Sequence, residues 1–415
     1  MILRLFLTCV MVACLALEAQ AGGFLVNEQS ARGTALGGAL TASLNDPTAI
    51  RLNPAALSSL QGTHFSIGAT VMMPDYKFSA VSDTAKMQSQ VIFPPNIYLT
   101  YTTESGLGFA VSATIPYAFR TEWQSDWLGS RIATKSELRS IFLSPTVSYR
   151  ISSAFSLGLT ANFVFSTFQL SHRLGTDSLG QAYGTASVEG DANLGYGVQA
   201  GFLYQPGRVL TVGGSYSSRV KIDIDKARAT FLDVPVADLS RYPDSKVSTS
   251  LSTPDNFSLG VALQPANWVV LEADMQYVLW SSFKALKLKF ENSALPEQTL
   301  QQDWKNTYAF RCGLEFRLTD VILRGGWHFD QSPVPDAYVS PSLPDADRTG
   351  YSFGIGYKVA EGLQLDFAYL FVKFKDRTVT DSLIPHLLPR PDPYLNGTYT
   401  TSETVIGLSV SYSWN

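Results

Sequence analysis

Apolar and polar residues alternate one by one over many segments of this chain. Residues 351–359 are a clear example, in which aromatic and aliphatic side chains alternate with serine, glycine and lysine. Period-two alternation places apolar side chains on one face of a β-strand and small or polar ones on the other. The pattern predicts fourteen strands, at approximately 63–74, 95–103, 106–117, 137–150, 154–171, 191–204, 208–221, 254–264, 267–280, 304–318, 320–330, 349–359, 362–375 and 402–414.

The connections between these segments alternate between short and long. Six are tight turns, such as Gln205-Pro206-Gly207, and seven are long segments, among them 172–190, 222–253 and 281–303. Soluble β-sandwiches also alternate in polarity, but in outer-membrane barrels short turns face the periplasm and long loops face the outside. The sequence therefore predicts an all-β membrane protein, a 14-stranded antiparallel transmembrane β-barrel over residues 63–415, whose closure pairs every strand.

The first residues predict export. Residues 1–4 are short and positive, 5–17 are apolar, and 19–21 read Ala-Gln-Ala, so residues 1–21 are predicted to be a signal peptide. A lipoprotein cleaved before Cys14 is the alternative, and it leaves a very short apolar region. Export and the strand pattern together predict the outer membrane of a Gram-negative bacterium.

Composition excludes several other classes of protein. A net charge of −4 argues against nucleic-acid binding. No segment after the leader approaches the apolar run of roughly twenty residues that a membrane helix needs. Cys312 is the only cysteine after the leader, so no internal disulfide or cysteine metal cluster is expected. Nucleotide-binding and metal-binding motifs are absent from the sequence, and we predict no cofactor.

Residues 22–62 do not alternate and are rich in glycine and alanine. Asp46 and Asn53 each precede a proline, which is the arrangement of a helix N-cap followed by proline at the first helical position. Short helices before the first strand of a wide barrel fit inside it, so we predict a small N-terminal helical hatch, or plug, over residues 22–62. A periplasmic extension is the alternative.

Several motifs resemble a known family. They are Gly23-Phe24, Asn27-Glu28, Leu52-Asn53-Pro54-Ala55, Thr121-Glu122-Trp123, the run at 133–137, Trp280-Ser281-Ser282-Phe283, Ser332-Pro333-Val334-Pro335 and the run at 343–348. Together they resemble the FadL family of outer-membrane transporters for long-chain fatty acids, whose close relatives carry toluene, xylene and other hydrophobic aromatics. The resemblance covers essentially the whole chain after the leader. It implies a fourteen-stranded barrel closed by an N-terminal hatch.

The resemblance also implies a passive mechanism. Extracellular loops capture a hydrophobic ligand, a site in the lumen binds it, the hatch shifts, and the ligand leaves sideways through a gap beside a kink in the third strand. The expected partners are that ligand, outer-membrane lipid, lipopolysaccharide and the barrel assembly machinery, and the protein is expected to be a monomer. Phe24 matches the aromatic residue beside the family's inner ligand site, or else packs the plug. Asn53, Pro54 and Ala55 match the hatch motif and are expected to hold the plug helix.

Other candidate residues come from the strand pattern. Pro116, near the end of the third strand, cannot donate a ladder hydrogen bond, so it is either part of a lateral opening or an ordinary strand end. Arg311, Arg324 and His328 are predicted to point into the lumen. Arginine binds a carboxylate bidentately, so these three are candidates for the ligand head group. The alternative is a network of lumen ion pairs with Glu272, Asp274 and Glu315.

Two predicted loops carry apolar residues with no lipid to face. One holds Leu387 and Leu388, and the other holds Phe231 and Leu232. Exposed apolar clusters often mark binding surfaces, so we predict that these residues capture the ligand. Packing between loops is the alternative.

Three other functions remain for comparison. An importer of aromatic hydrocarbons has the same fold, and the sequence does not separate it from a fatty-acid carrier. A general diffusion porin would lack a plug and conduct ions steadily. A barrel enzyme would need a catalytic group near one of the few histidines, and none lies in a recognisable pattern. One departure is the last residue, Asn415, because outer-membrane barrels usually end on an aromatic such as Trp414.

Overall fold

The computed structural model describes residues 22–81, 83–176, 182–384 and 395–414 of the chain. These ranges are dominated by β-strands. In chain order the strands are β1 (Gly62–Ser79), β2 (Thr84–Lys86), β3 (Pro95–Thr102), β4 (Leu107–Glu122), β5 (Lys135–Arg150), β6 (Phe155–Thr176), β7 (Ala182–Asp191), β8 (Gly195–Tyr204), β9 (Leu210–Ser217), β10 (Lys221–Leu232), β11 (Ser245–Ser252), β12 (Asn256–Ala266), β13 (Val269–Val278), β14 (Ala285–Phe290), β15 (Gln298–Gln301), β16 (Thr307–Arg317), β17 (Val321–Asp330), β18 (Arg348–Ala360), β19 (Leu363–Phe374), β20 (Arg377–Val379) and β21 (Gly397–Trp414).

Fourteen of these strands form a closed antiparallel barrel. Its wall runs through β1, β3, β4, β5, β6, β8, β9, β12, β13, β16, β17, β18, β19 and β21. The last strand returns to the first, and their register extends from Thr63 opposite Trp414 to Ser79 opposite Thr398. The predicted fold and all fourteen predicted strands are confirmed, with ends that differ by a few residues.

The two faces of the wall follow the predicted alternation. On β18, Tyr351 and Phe353 are exposed on the outside, whereas Ser352 is buried on the inside. On β17, Leu323 is exposed and Arg324 is buried. Apolar side chains therefore face lipid, and polar ones face the lumen, as a barrel in a bilayer requires.

The long connections contain more strand than the sequence predicts. Segments 222–253 and 281–303 were expected to be loops, but β10, β11, β14 and β15 lie in them. β10 pairs with β7 and β11, and β11 pairs with β14, so these strands form a small sheet above the wall. Outside the membrane the backbone still needs hydrogen-bond partners, and paired hairpins supply them.

Short helices fill the lumen. The helix α1 (Ala31–Ala35) lies against β17, β18, β19 and β21, and the 3₁₀ helix Pro54–Ser59 lies against β4, β5, β6 and β8. The other 3₁₀ helices are Pro47–Arg51, Val236–Arg241, Trp280–Ser282 and Asp336–Tyr338. None of the helices in the described ranges is long and apolar enough to cross a membrane.

The predicted helix starts are correct. The Asp46 side chain accepts a hydrogen bond from Thr48 N at 2.9 Å, and the Asn53 side chain accepts one from Ala55 N at 3.1 Å. Both helices are of the 3₁₀ type and end within one or two turns, because each is followed by a change of chain direction inside the crowded lumen.

Candidate functional site

An apolar cavity of about 610 Å³ lies at the end of the barrel that carries the long connections. Its volume is within the range of ligand pockets, roughly 300–1,000 Å³. The wall strands β5 and β6 contribute Leu138, Phe168 and Leu170. The small extracellular sheet contributes the remaining apolar walls, among them Val188, Phe231, Leu251, Leu286, Leu288 and Phe290. The cavity is therefore built jointly by the barrel and the hairpins above it.

An aromatic cluster around Phe24 forms the floor of this cavity. The ring of Phe24 lies 4.7 Å from that of Trp280, 5.7 Å from that of Trp304 and 6.0 Å from that of Tyr117. Such edge-on aromatic contacts stabilise beyond the area they bury. Phe24 lines the cavity and also packs in the main apolar cluster. Its position is compatible with both sequence interpretations, a residue beside the ligand site and a residue that packs the plug.

The N-terminal segment is tied down beside that cluster. Gly23, at φ +74°, donates its N–H to Asp345 Oδ2 at 2.9 Å. A side chain at Gly23 would meet the rings of Trp280 and Trp304. Burial raises the pKa of Asp345 to about 6, although Arg348 opposes the shift. Asp345 thus holds the N-terminal segment by a hydrogen bond to Gly23, and its carboxyl group becomes protonated near pH 6.

Basic side chains border the cavity. Arg131, His172, Arg173 and Arg241 line it, and no described lining residue is Asp or Glu. Arg173 donates to Thr185 Oγ1 at 2.8 Å, and Arg241 pairs with Asp238 at 3.1 Å. An apolar cavity bordered by arginines suits an amphiphile that carries an anionic head group.

The barrel wall is interrupted next to this cavity. β3 is short, and β4 pairs with it only as far as Ala113, opposite Ile97. Between Thr114 and Tyr117, β4 also shifts its register on β5, so that Ile115 and Pro116 form a bulge. The upper part of β4 therefore has no wall strand on its β3 side. Pro116 lies at the centre of this defect.

The N-terminal segment fills the gap as a substitute strand. Val26 N donates to Pro116 O at 2.9 Å, and Ala118 N donates to Phe24 O at 3.1 Å. The Gln29 side chain, 4% exposed, accepts from Ile115 N at 2.9 Å and donates to Ile115 O at 2.9 Å. The same hydrogen bonds therefore hold the N-terminal segment in place and close the wall beside β4.

The hatch motif fixes the plug to the opposite wall. Asn53 is fully buried and donates from Nδ2 to Thr41 O at 2.8 Å and to Phe202 O at 2.9 Å. The strand glycine Gly213 lets the plug backbone approach, because a Cβ there would overlap the carbonyl group of Thr41. These contacts support the expectation that Asn53 has a structural role.

Two buried carboxylates on β13 hold the plug in an arrangement that the sequence did not predict. Asp274 Oδ2 accepts from Leu40 N at 3.0 Å and from Thr41 N at 2.9 Å. Glu272 accepts from Ala42 N and from Ser43 Oγ, both at 2.6 Å. They were expected to pair with lumen arginines. Backbone donors of the plug take that place because the plug brings several free N–H groups to β13.

The predicted lumen cations point inward as expected but lie below the cavity. Arg311 pairs with Asp330 at 2.8 Å, and Arg324 pairs with Glu315 at 2.8 Å. His328 Nε2 lies 4.0 Å from Asp330. None of the three lines the apolar cavity. Their buried carboxylate partners correspond to the ion-pair alternative, and a ligand role for them stays a prediction.

A second cavity, of about 840 Å³, opens at the end with the short turns. Charged residues line it, and several of them are paired: Arg32 with Asp46 at 2.5 Å, and Arg317 with Glu315 at 2.7 Å. Arg324 also borders it. This cavity is a solvated periplasmic end rather than a place for an apolar ligand.

The predicted capture residues have different surroundings. Phe231 lines the apolar cavity, whereas Leu232 is 61% exposed on the outside of the same strand. Leu387 and Leu388 lie outside the described residues. Sequence reasoning missed Arg131 and Arg173, because isolated arginines in long connections have no pattern. Only the fold brings them to the border of the cavity.

The sequence is similar to those of known outer-membrane proteins. Residues 12–414 match the family model described as "Outer membrane protein transport protein (OMPP1/FadL/TodX)". The chain is 24% identical to outer membrane protein P1 of Haemophilus influenzae, over 95% of this chain and 96% of that protein. It is 26% identical to the long-chain fatty acid transport protein of Escherichia coli O6:H1, over 86% of this chain and 88% of that protein.

Solved structures share the fold. A FadL homologue of Pseudomonas aeruginosa superposes with a TM-score of 0.82 at 21% identity, covering 95% of this chain and all, 100%, of that one. The toluene transporter TodX of Pseudomonas putida superposes with a TM-score of 0.72 at 18% identity, covering 94% of this chain and 98% of that one. Relatives that differ in their named ligand therefore have the same architecture.

Proposed function

Because this chain belongs to the OMPP1/FadL/TodX family of outer-membrane transport proteins, we propose that it carries long-chain fatty acids across the outer membrane of a Gram-negative bacterium. The observation that carries this substrate is the lining of the cavity. Its walls are apolar, three arginines and a histidine border it, and no described lining residue is acidic. An acyl chain needs the walls, and a carboxylate needs the cations.

The proposed route begins at the extracellular hairpins. Apolar residues there, such as Phe231 and Leu232, capture the ligand, with Leu387 and Leu388 as predicted contributors. The acyl chain then fills the cavity above Phe24. Displacement of the N-terminal segment removes the hydrogen bonds at Pro116 and opens the wall beside β4. The ligand leaves through this gap into the lipid, and so an apolar chain never crosses water.

The route needs no cofactor and no energy source at this membrane. We propose a monomer without catalytic activity, because the family's members are transporters. Its partners in this proposal are the ligand, the surrounding lipid and lipopolysaccharide, and the machinery that inserts the barrel. No nucleic acid takes part. The second candidate, uptake of aromatic hydrocarbons, is favoured by the shared fold with the toluene transporter.

The test compares oleate with p-xylene binding to the refolded protein. In the double variant Arg131→Ala/Arg173→Ala we expect oleate affinity to fall at least about tenfold, because a hydrogen bond to a charged group contributes about 1.5–3 kcal/mol. Affinity for p-xylene stays unchanged. The control is Arg208→Ala, an exposed arginine at a short turn.

One outcome would overturn this substrate, and a second would overturn the cavity as its carboxylate site. Binding of p-xylene without oleate makes the protein an importer of aromatic hydrocarbons. A loss of oleate affinity in Arg311→Ala or Arg324→Ala, with the cavity double variant unchanged, places the carboxylate in the lumen network instead.

A further inference from the structure

Arg51, inside the barrel, has no carboxylate partner among the described residues. Arg51 ends the 3₁₀ helix Pro47–Arg51 in the plug, and its carbonyl group accepts from Gln199 Nε2 at 3.2 Å. Its backbone is therefore fixed against β8. Its Nε is buried and has no hydrogen-bond partner among the described residues.

The contrast with the other lumen arginines is sharp. Arg32 pairs with Asp46 and Glu315, Arg311 with Asp330, Arg324 with Glu315 and Asp366, and Arg348 with Asp330. Within the described part of the chain, Arg51 makes no such ion pair. Burial lowers the pKa of Arg51, and the hydroxyl groups of Tyr117 and Tyr98 oppose that shift. Arginine nevertheless stays protonated in proteins, so this charge persists.

A buried charge without a counter-ion is costly, and such groups are usually paired. Arg51 is partly accessible although it lies inside the barrel. No described residue of the plug accepts a hydrogen bond from its buried Nε. The fold therefore keeps a positive charge in the lumen that its own carboxylates do not neutralise.

Arg51 also lies between the cavity floor and the interrupted wall. Tyr117 contacts the Phe24 ring at 6.0 Å on the cavity side and stands at the end of the β4 bulge. Tyr98 donates its hydroxyl proton to Gln29 O at 2.9 Å, and Gln29 holds the bulge through Ile115. The two tyrosines nearest to the Arg51 charge thus belong to the floor and to the closure of the wall.

We propose that Arg51 is a second binding site for the carboxylate of an acyl ligand, occupied after the ligand leaves the apolar cavity and before it passes the β4 bulge. This site rests on the proposed function and deepens it. The guanidinium offers two parallel donors, the geometry that a carboxylate accepts. In this proposal the anion arrives from the apolar cavity above Phe24, so it is attached to an apolar chain.

The site makes transport depend on ligand charge. When the N-terminal segment leaves the bulge, Tyr117 and Phe24 no longer separate the cavity from Arg51. The head group then exchanges the cavity arginines for Arg51, while the chain slides toward the gap. A neutral chain of the same length gains nothing at Arg51, and its transfer is independent of this residue.

The experiment uses the full chain in proteoliposomes, with oleate and oleyl alcohol as probes. Arg51→Met keeps the apolar stem and removes the charge, Arg51→Lys keeps the charge, and Arg208→Met is the exposed control. In Arg51→Met we expect oleate transfer to fall about tenfold or more, the effect of losing a charge-assisted pair. Oleate binding to the cavity and oleyl alcohol transfer stay as in the wild type. Arg51→Lys restores most of the transfer.

Each other outcome has a distinct meaning. Wild-type oleate transfer in Arg51→Met overturns the site. An equal loss for both probes shows a structural role for Arg51 and overturns it as well. If Arg51→Met does not give a folded, heat-modifiable barrel, Arg51→Gln replaces it under the same criteria. If the wild-type protein neither binds nor transfers oleate, the proposed function itself fails. This failure is distinguishable from failure of the Arg51 site, because it is seen without any variant.

Discussion

Asp345 lies in the connection between β17 and β18, where it accepts the Gly23 N–H. Its folded-state pKa, about 6, lies above the ordinary value of 3.8 because the carboxyl group is buried. Between these two pH values the folded state binds more protons than the unfolded state. The free energy of unfolding therefore decreases as pH rises through this window, by up to about 3 kcal/mol from this group.

The prediction at this scale concerns Asp345→Asn. The variant keeps an oxygen that accepts from Gly23 but does not titrate, so we expect it to lack this decrease between pH 4 and pH 6. The measurement is the thermal midpoint of the barrel in micelles, taken every half pH unit for both proteins. Glu28 also has a pKa raised by burial and is unchanged in the variant, so only the difference between the two curves is assigned to Asp345. Parallel curves would contradict the prediction.

The N-terminal segment and β4 act together at the scale of elements. β4 lacks a wall neighbour beyond Ala113, and the segment around Leu25 supplies one. The flanking hydrogen bonds, from Val26 N to Pro116 O and from Ala118 N to Phe24 O, make Leu25 and Tyr117 a non-hydrogen-bonded antiparallel pair. In such pairs the two Cα atoms lie about 4.5 Å apart. This separation is within the range that a disulfide spans.

The prediction at this scale is that a disulfide between the N-terminal segment and β4 blocks transfer reversibly. In a Cys312→Ser background, Leu25→Cys with Tyr117→Cys should form a disulfide that holds the segment on β4. We expect oxidised protein to bind oleate but not transfer it, and reduction to restore transfer. The reduced form of the same variant is the control, since it differs only in the bond. Transfer by the oxidised form at the reduced rate would show that the ligand leaves by another path.

The whole molecule is a wide barrel with its lumen occupied. α1 and the 3₁₀ helices contact wall strands on several sides, and glycines such as Gly213 let them approach closely. Without this filling, a wall of fourteen strands would enclose an aqueous channel. The plug therefore distinguishes this transporter from a general diffusion porin.

The prediction for the whole molecule is a conductance difference. In planar bilayers we expect the intact protein to show no steady ion current, and a variant lacking residues 23–59 to show large, stepwise open-pore currents. Heat-modifiable migration of the deletion variant on gels confirms that its barrel has formed. A steady current through the intact protein, equal to that of the deletion variant, would support the porin alternative.

The sequence was sufficient for the barrel because the bilayer imposes a local rule on every strand. Each wall residue faces lipid or lumen by parity alone, so Tyr351 and Arg324 could be placed without knowledge of their neighbours. The helix starts at Asp46 and Asn53 were also predictable, since an N-cap depends on adjacent residues. The hairpins at 222–253 were missed, because paired strands outside the membrane need not carry a lipid face.

What only the tertiary structure decided is which side chains meet. The contacts of Glu272 and Asp274 with plug N–H groups, and of Gln29 with the bulge, join residues far apart in the chain. No local pattern encodes such meetings, because they depend on strand register and on how the plug sits. The alternation by itself determined a membrane barrel, and the non-alternating residues 22–62 indicated that its lumen is occupied. Closure of that barrel decided where the cavity lies and left Arg51 without a carboxylate partner among the described residues.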